Sequence, residues 1–356
     1  MTVKALITGA GGLIGSACAR MLASQGWEVV GLDNDMRQAF FGPAGSTASV
    51  LLELTSTLSR FRHISADIRD RQLLRDLLKG ERPQFIIHTA GQPSHDKAAA
   101  IPYEDFDINA VGTLNLLVAC RDFCPEAPFC FTSTNKVYGD RPNSLALVER
   151  ETRYDYANGI AGVDEGMSID ACLHSLFGAS KVAADVLAQE FGRYFNMPVG
   201  IFRCGCVTGP QHAAVEAHGY LAYIVSCAVT GKEYTVFGYK GKQVRDQIHC
   251  DDVASLFLEF YKKPRNGDVY NLGGGRENSI SVLETIAALG GMGHKLRYRF
   301  REDHRVGDHI CYISALNKIR AHFPDWRMKY DVVACIEQIV RRFADARRQP
   351  AGLPAH

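Results

Sequence analysis

Three glycines at fixed spacing, with an acid shortly beyond them, point to a definite chemistry. Thr8-Gly9-Ala10-Gly11-Gly12-Leu13-Ile14-Gly15 places glycines at 9, 12 and 15. Glycine lets the backbone turn tightly, approach a pyrophosphate and pack a helix against a strand. The helix N-terminus then offers open N–H groups to the anion. A glycine triplet alone arises in many turns, but this one has the right surroundings. The apolar run Val3-Lys4-Ala5-Leu6-Ile7 precedes it as a strand, and Ile14, Ala17, Cys18, Met21 and Leu22 follow it at helical spacing. A second strand, Glu28-Val29-Val30-Gly31-Leu32, then ends in Asp33. An acid there accepts hydrogen bonds from adenosine ribose hydroxyls and repels a 2′-phosphate, which predicts NAD over NADP. Arg37 is the one neighbour that would favour the phosphate.

The elements needed to position these residues follow along the chain. Alternating strands and helices up to about residue 203 predict an α/β fold with a doubly wound parallel sheet. Phe85-Ile86-Ile87, Phe129-Cys130-Phe131 and Val199-Gly200-Ile201-Phe202 supply its middle strands. The small, hydroxylated stretch from Gly42 to Thr57 reads as a mobile loop near the adenosine end. A chain of 356 residues has room for a large core and two lobes. Its net charge of +1, with mixed signs, carries no footprint for nucleic acid. No apolar run spans a bilayer and no leader segment is visible, so no membrane is expected and a cytoplasmic protein is. The 11 cysteines lack metal-ligand spacing: Cys120 and Cys124 lie one helical turn apart, Cys130 begins a strand, and no histidine cluster accompanies them. Reduced core cysteines and no metal are expected.

The Gly-x-x-Gly-x-x-Gly spacing is followed by several further segments in a telling order. They are Asp67-Ile68, His88-Thr89-Ala90-Gly91-Gln92, Asn109-Ala110-Val111-Gly112-Thr113-Leu114-Asn115-Leu116-Leu117, and Phe131 through Gly139. Together they resemble the extended short-chain dehydrogenase/reductase (SDR) family, the NAD-dependent nucleotide-sugar epimerases and dehydratases. The wording Ser133-Thr134-Asn135-Lys136-Val137-Tyr138-Gly139-Asp140, with Glu151-Thr152-Arg153-Tyr154 and Gly241-Lys242-Gln243-Val244-Arg245-Asp246, is similar to its CDP-sugar 2-epimerases of the CDP-paratose/CDP-tyvelose type. The resemblance implies a Rossmann domain over 1–203, a return of the chain near 246–273 through Val269-Tyr270-Asn271-Leu272-Gly273, and a smaller interleaved α/β substrate lobe over 204–345. Residues 346–356 read as a frayed tail. It further implies NAD contacts from Gly9, Gly12, Leu13, Ile14, Gly15, Asp33, Asn34, Asp67, Ile68, Ala90, Gly91, Gln92, Asn109 and Lys181. A nucleotide-diphosphate sugar would meet Gln92, Thr134, Asn135, Lys136, Cys206, Arg245, Arg305 and Asp308, with the two arginines gripping its phosphates bidentately. His249 and Asp252 resemble an architectural motif. Family members pair helices like those near 104–124 and 178–195, which implies a homodimer; the stripes are Ala110, Leu114, Leu117 and Val118, and Ala179, Val182, Val186 and Leu187.

One residue is missing. Where the family reads Tyr-x-x-x-Lys, with the tyrosine transferring a proton, this chain has Phe177-Gly178-Ala179-Ser180-Lys181. Thr134 matches the catalytic Ser/Thr and Lys181 remains. The implied reaction is C2 epimerisation: hydride leaves C2 for NAD as the hydroxyl loses its proton, and both return with hydride on the opposite face. Losing a general base costs roughly 10²–10⁴ in rate. Three readings fit: a substitution made to trap substrate, a natural replacement, or a protein that binds without reacting. In a natural replacement, Cys206, Lys181, His174 or Glu165 would be the base. Leu176, where proline is usual, tilts the balance to natural replacement. Asn135-Lys136 stands where dehydratases carry Asp-Glu, which counts against elimination; a decarboxylase using Arg203 or Lys136 stays open.

Overall fold

The computed structural model describes residues 2–213, 215, 219–303 and 308–348. Seven strands, β1 (Lys4–Thr8), β2 (Glu28–Leu32), β3 (Phe61–Ile64), β4 (Phe85–His88), β5 (Phe129–Thr134), β6 (Val199–Cys204) and β7 (Asp268–Leu272), form one sheet in the order β7-β6-β5-β4-β1-β2-β3. Every pairing in it is parallel. Parallel strands need helical crossovers on both faces, so both faces must be apolar. Leu6 and Ile7 show this directly. Adjacent in sequence, they point to opposite sides and enter separate buried clusters, one with Leu116, Phe131 and Ile201, the other with Leu22, Phe202 and Phe257. The expected doubly wound sheet is therefore present, and its strand order reverses between β1 and β4. A crevice opens at such a switch point, beyond the carboxyl ends of the strands. There Thr8, ending β1, bonds through Oγ1 to His88 Nδ1 of β4 at 2.7 Å.

The second lobe is interleaved with this sheet. Val244–His249 pairs in parallel with Cys206–Thr208 and Cys311–Tyr312, and antiparallel with Ser279–Ser281. The helices Tyr220–Thr230 and Val332–Arg348 pack beside it in a cluster containing Leu221, Val225, Ile336 and Ile339. The first 203 residues also contribute to this lobe, beyond the expected division. A hairpin of Leu147–Glu149 and Tyr154–Tyr156 buries Tyr156 with Val244, Cys311 and Tyr312.

Two expectations need correction. The stretch from Gly42 to Thr57 contains the helix Ala48–Thr57, because Val50, Leu51 and Leu54 recur at helical spacing and bury against the β1 side of the sheet. Of the expected tail, residues 346–348 continue the helix Val332–Arg348, and 349–356 lie outside the described residues. All 11 cysteines are free thiols. No helix of the described residues is long and apolar enough to cross a membrane.

Candidate functional site

A cavity of about 840 Å³ runs from the glycine loop to the small lobe. At its first end Gly12 is the N-cap of the helix Leu13–Ser24, with no side chain capping the first turn. Its N–H groups are thus available to an anion. Gly9, at φ +72°, lies so close to β4 that a Cβ there would sit 2.7 Å from Ala90 N. A Cβ on Gly15 would sit 2.2 Å from Gly9 O, so this glycine shapes the turn from behind and does not line the cavity. Asp33 follows β2 and accepts Gly11 N–H at 2.9 Å and Asp35 N–H at 2.8 Å. A carboxylate with about four lone-pair sites keeps capacity for ribose hydroxyls. Arg37 faces the same cavity, with its Nε donating to Gly45 O at 3.3 Å and its guanidinium 4.9 Å from the Phe41 ring centre. Asn34 donates to Asp67 at 3.2 Å, and Arg69 holds Asp67 at 2.7 Å and draws its carboxyl below the usual range. Leu13, Ile14, Ile68, Ala90 and Gly91 complete this end. Small residues and open N–H groups of this kind suit the pyrophosphate and adenosine of a dinucleotide.

Gln92 and Asn109 line the cavity, but their amides are committed to a buried network around Asp105. Asp105 Oδ1 accepts Gln92 Nε2 at 2.7 Å and Asn109 Nδ2 at 3.0 Å, and Oδ2 accepts Ser180 Oγ at 2.6 Å. Burial raises the Asp105 carboxyl, with the Ser180 and Gln92 bonds opposing the shift. Asn109 sits within one π-turn, Asp107–Val111, a local widening common at functional sites. Sequence reasoning missed Asp105, which a spacing of four residues to Asn109 could have flagged.

Phe177 and Lys181 lie on the helix Ser175–Tyr194 and both line the cavity. The Lys181 ammonium donates to Thr132 O at 2.8 Å and lies 4.4 Å from the Phe131 ring centre. Burial pulls it down to about 8. Thr134 is not among the lining residues. Its hydroxyl accepts Lys136 N–H at 3.2 Å, capping the turn Asn135–Tyr138, while Thr132, Ser133, Asn135 and Lys136 form the wall. One turn beyond Lys181, Asp185 accepts Ser133 Oγ at 2.5 Å and Arg203 Nη2 at 2.8 Å. Arg203 is therefore bound inside the protein and is not among the residues that line the cavity.

The candidate bases separate cleanly. Glu165 accepts Asn271 N–H at 2.7 Å, and His174 Nε2 bonds Ile169 O at 2.8 Å; neither lines the cavity. Cys206 does line it, but burial pushes its thiol up to about 11, with Arg245 opposing. A lining residue that sequence reasoning missed is His95, whose ring centre lies 4.8 Å from that of Phe177. Its signal was the polar run Gln92-Pro93-Ser94-His95-Asp96 directly after β4.

At the far end, Arg245 donates to Asp308 Oδ1 at 2.5 Å, and Lys136 Nζ lies 3.6 Å from the same oxygen. Arg245 and Lys136 together outweigh burial and hold the Asp308 carboxyl well below its usual range. Arg245 and Lys136 thus both approach Asp308 at this end of the cavity. Arg305 lies outside the described residues. Among the described residues, His249, Cys250 and Asp251 bring ligand atoms within 4.8 Å of one another. Both His249 nitrogens are already bonded, to Asp251 N–H at 3.1 Å and to Gln338 Oε1 at 3.2 Å, so the group braces the fold. Asp252 does the same by accepting Lys329 N–H at 2.8 Å.

A model of the NAD dependent epimerase/dehydratase family matches residues 5–273. Among curated relatives, CDP-paratose 2-epimerase of Salmonella typhi is 35% identical over 295 residues, covering 81% of this chain and 83% of that one. The dTDP-glucose 4,6-dehydratase of Xanthomonas campestris is 30% identical over 321 residues, covering 87% and 81%. Among solved structures, UDP-glucose 4-epimerase of Thermotoga maritima, with UDP-glucose, superposes with a TM-score of 0.79 at 22% identity, covering 97% of this chain and 100% of that one. A tyrosine-to-phenylalanine mutant of UDP-glucuronic acid 4-epimerase of Bacillus cereus, in complex with UDP-4-deoxy-4-fluoro-glucuronic acid and NAD, does so at 0.80 and 22%, with the same coverage. These two structural likenesses concern the fold.

The buried Lys181 ammonium makes a testable contribution to stability. Its folded value of about 8 lies below the unfolded one, so between the two the folded chain holds fewer protons than the unfolded chain. The desolvation penalty is fully present below the folded value and is relieved as pH rises towards roughly 10.4, the free-lysine value. The unfolding free energy of the parent should therefore gain on that of Lys181→Met by roughly 3 kcal/mol from about pH 7 to pH 11. Urea titrations across that range measure the difference, and a flat difference would show that the ammonium is not desolvated.

Proposed function

The chain belongs to the NAD dependent epimerase/dehydratase family, and from that premise we propose that it inverts a CDP-linked sugar at C2 using one bound NAD. The observation that carries this reading is the single cavity joining the glycine cradle to the Arg245–Asp308–Lys136 cluster, with Phe177 and Lys181 on its wall. The sugar and carbon are favoured by the likeness to CDP-paratose 2-epimerase, and by Asn135-Lys136 standing where dehydratases carry Asp-Glu.

In this reading the N–H groups of the first helical turn after Gly12 hold the NAD pyrophosphate, and Asp33 holds the adenosine ribose. NAD, once bound, accepts the C2 hydride and returns it to the other face. Arg245, Lys136 and Arg305 hold the sugar nucleotide's diphosphate, while Asp308 lies between the first two. Asn135 and Cys206 border the sugar. The Lys181 ammonium favours anionic forms of oxygen near it. Phe177 supplies shape alone, so the proton must travel through another group.

The test uses CDP-paratose carrying deuterium at C2. Deuterium should appear transiently in NAD and return in CDP-tyvelose. Binding with no product and no label in NAD would leave a protein that only captures the two ligands. Arg245→Ala should weaken CDP binding by about 2–5 kcal/mol in calorimetry, because the partner phosphate loses a charged bond in a desolvated site.

The same reading includes a homodimer in the cytoplasm. Part of the expected stripe is used within the subunit: Ala110 and Leu117 are buried. Leu114, Val118, Leu187 and Val182 are half-buried against the same subunit's core, while Ala179 and Val186 face outward, Val186 41% exposed; outside the stripe, Tyr194 is 79% exposed on the same helix and Phe106 47% on the neighbouring segment. Light scattering should give a dimer for the parent and a monomer for Val186→Asp; a monomeric parent would refute the assembly.

A further inference from the structure

The reaction proposed above needs a group to take the C2 hydroxyl proton, and Phe177 cannot. We propose that His95 is the proton-transfer residue of this site, standing in for the absent phenol. The inference rests on the epimerase reading and adds a residue to it.

Four observations place it there. His95 lines the cavity together with Phe177 and Lys181. Its ring packs against the Phe177 ring, with centres 4.8 Å apart and planes tilted by 58°, beside the position a tyrosine ring would occupy. Its Nδ1 lies 3.0 Å from Ser175 Oγ. Ser175 itself has φ +62°, a left-handed conformation that a serine adopts only at a cost. That conformation starts the helix bearing Phe177 and Lys181.

The contact between His95 Nδ1 and Ser175 Oγ, which also accepts Gly178 N–H at 3.3 Å, holds the ring in place, and the proposal takes the tautomer in which Nδ1–H donates to Ser175 Oγ. A neutral imidazole with its proton on Nδ1 has a basic Nε2. In the forward half-reaction the C2 hydroxyl gives its proton to Nε2 while the C2–H bond breaks and its electron pair leaves as hydride to NAD. In the return half-reaction hydride comes back to the other face of the C2 ketone, and Nε2–H restores the hydroxyl. Atoms and charge balance with NAD as the sole redox partner. Charged side chains of the cavity include Asp96 on its own helix, Lys181 on the Ser175–Tyr194 helix, Lys136 after β5, and Arg245 and Asp308 at the far end, with Asp105 on the neighbouring helix bonded to Ser180.

The test compares the parent protein with His95→Gln, Phe177→Tyr and the double variant, each loaded with NAD and mixed with C2-deuterated CDP-paratose. His95→Gln should lower deuterium transfer and turnover by roughly 10²–10⁴-fold, the range for a general base. It should also remove an acid limb of the kcat/KM profile lying in the range of about pH 5 to 8, where imidazole titrates. Phe177→Tyr in the His95→Gln background should recover turnover. Added imidazole should rescue His95→Ala, which a packing role would not allow. NMR titration of the His95 ring should give the same midpoint as the kinetic limb, and unchanged NAD affinity in His95→Gln would show that the fold is intact. Transfer in His95→Gln within twofold of the parent would overturn the assignment while leaving epimerisation in place. Absence of transfer in the parent and in Phe177→Tyr would overturn both.

Discussion

One buried ion pair holds the working parts in register. Asp185 and Arg203 face each other at 2.8 Å, with side chains 0% and 5% exposed. Asp185 belongs to the helix that carries Phe177 and Lys181, and Arg203 to β6. The pair extends outward: Ser133 on β5 donates to Asp185, Arg203 donates to Tyr138 Oη, and Tyr138 donates to Asn271 on β7. Helix, three strands and the turn after β5 are thereby tied to one point. Buried pairs of this kind add little net stability, because desolvation offsets their attraction, but losing one partner costs several kcal/mol. Their value is geometric. With Asp185 fixed, Lys181 one turn earlier donates to Thr132 O, and the Phe177 ring packs against His95.

The electrostatics of the cavity follow from burial against pairing. At the far end Arg245 and Lys136 both approach Asp308 and hold its carboxyl well below its usual range, while burial pulls the Lys136 ammonium down. In the middle, Lys181 has only a carbonyl and a ring face as near partners, and burial wins. At the cofactor end charge comes from backbone N–H groups, which burial cannot neutralise. The three regions thus handle anions by three means.

Phe177 shows how little of a catalytic position is chemistry and how much is packing. The ring fills its place beside Lys181, closes the wall and stacks on a neighbour, while the acid–base function has no atom to reside on. Nothing else in the helix compensates sterically. Gly178 and Ser180 keep the contacts that set the helix against Lys136 and Asp105.

Much of this was legible in sequence because it is local. Glycine spacing, flanking strand and helix periodicity, and Asp33 at a strand end are short-range patterns whose geometry follows from backbone sterics. They predicted the nucleotide loop and the parallel sheet. Arg245 and Asp308 could be named from a resemblance, but that they meet at 2.5 Å required a strand and a loop 63 residues apart to be brought together. The same limit misled the reading of Ala48–Thr57, where hydroxyl-rich composition masked a helix that is stable because the core receives Val50, Leu51 and Leu54. It also left His174 and Glu165 as candidates, since only packing revealed that both are bound elsewhere. His95 and Phe177 are 82 residues apart in sequence, and neither carries a mark of the other. Sequence determined that the tyrosine is absent; tertiary structure decided what stands beside the gap, because contact between distant side chains is a property of the folded chain alone.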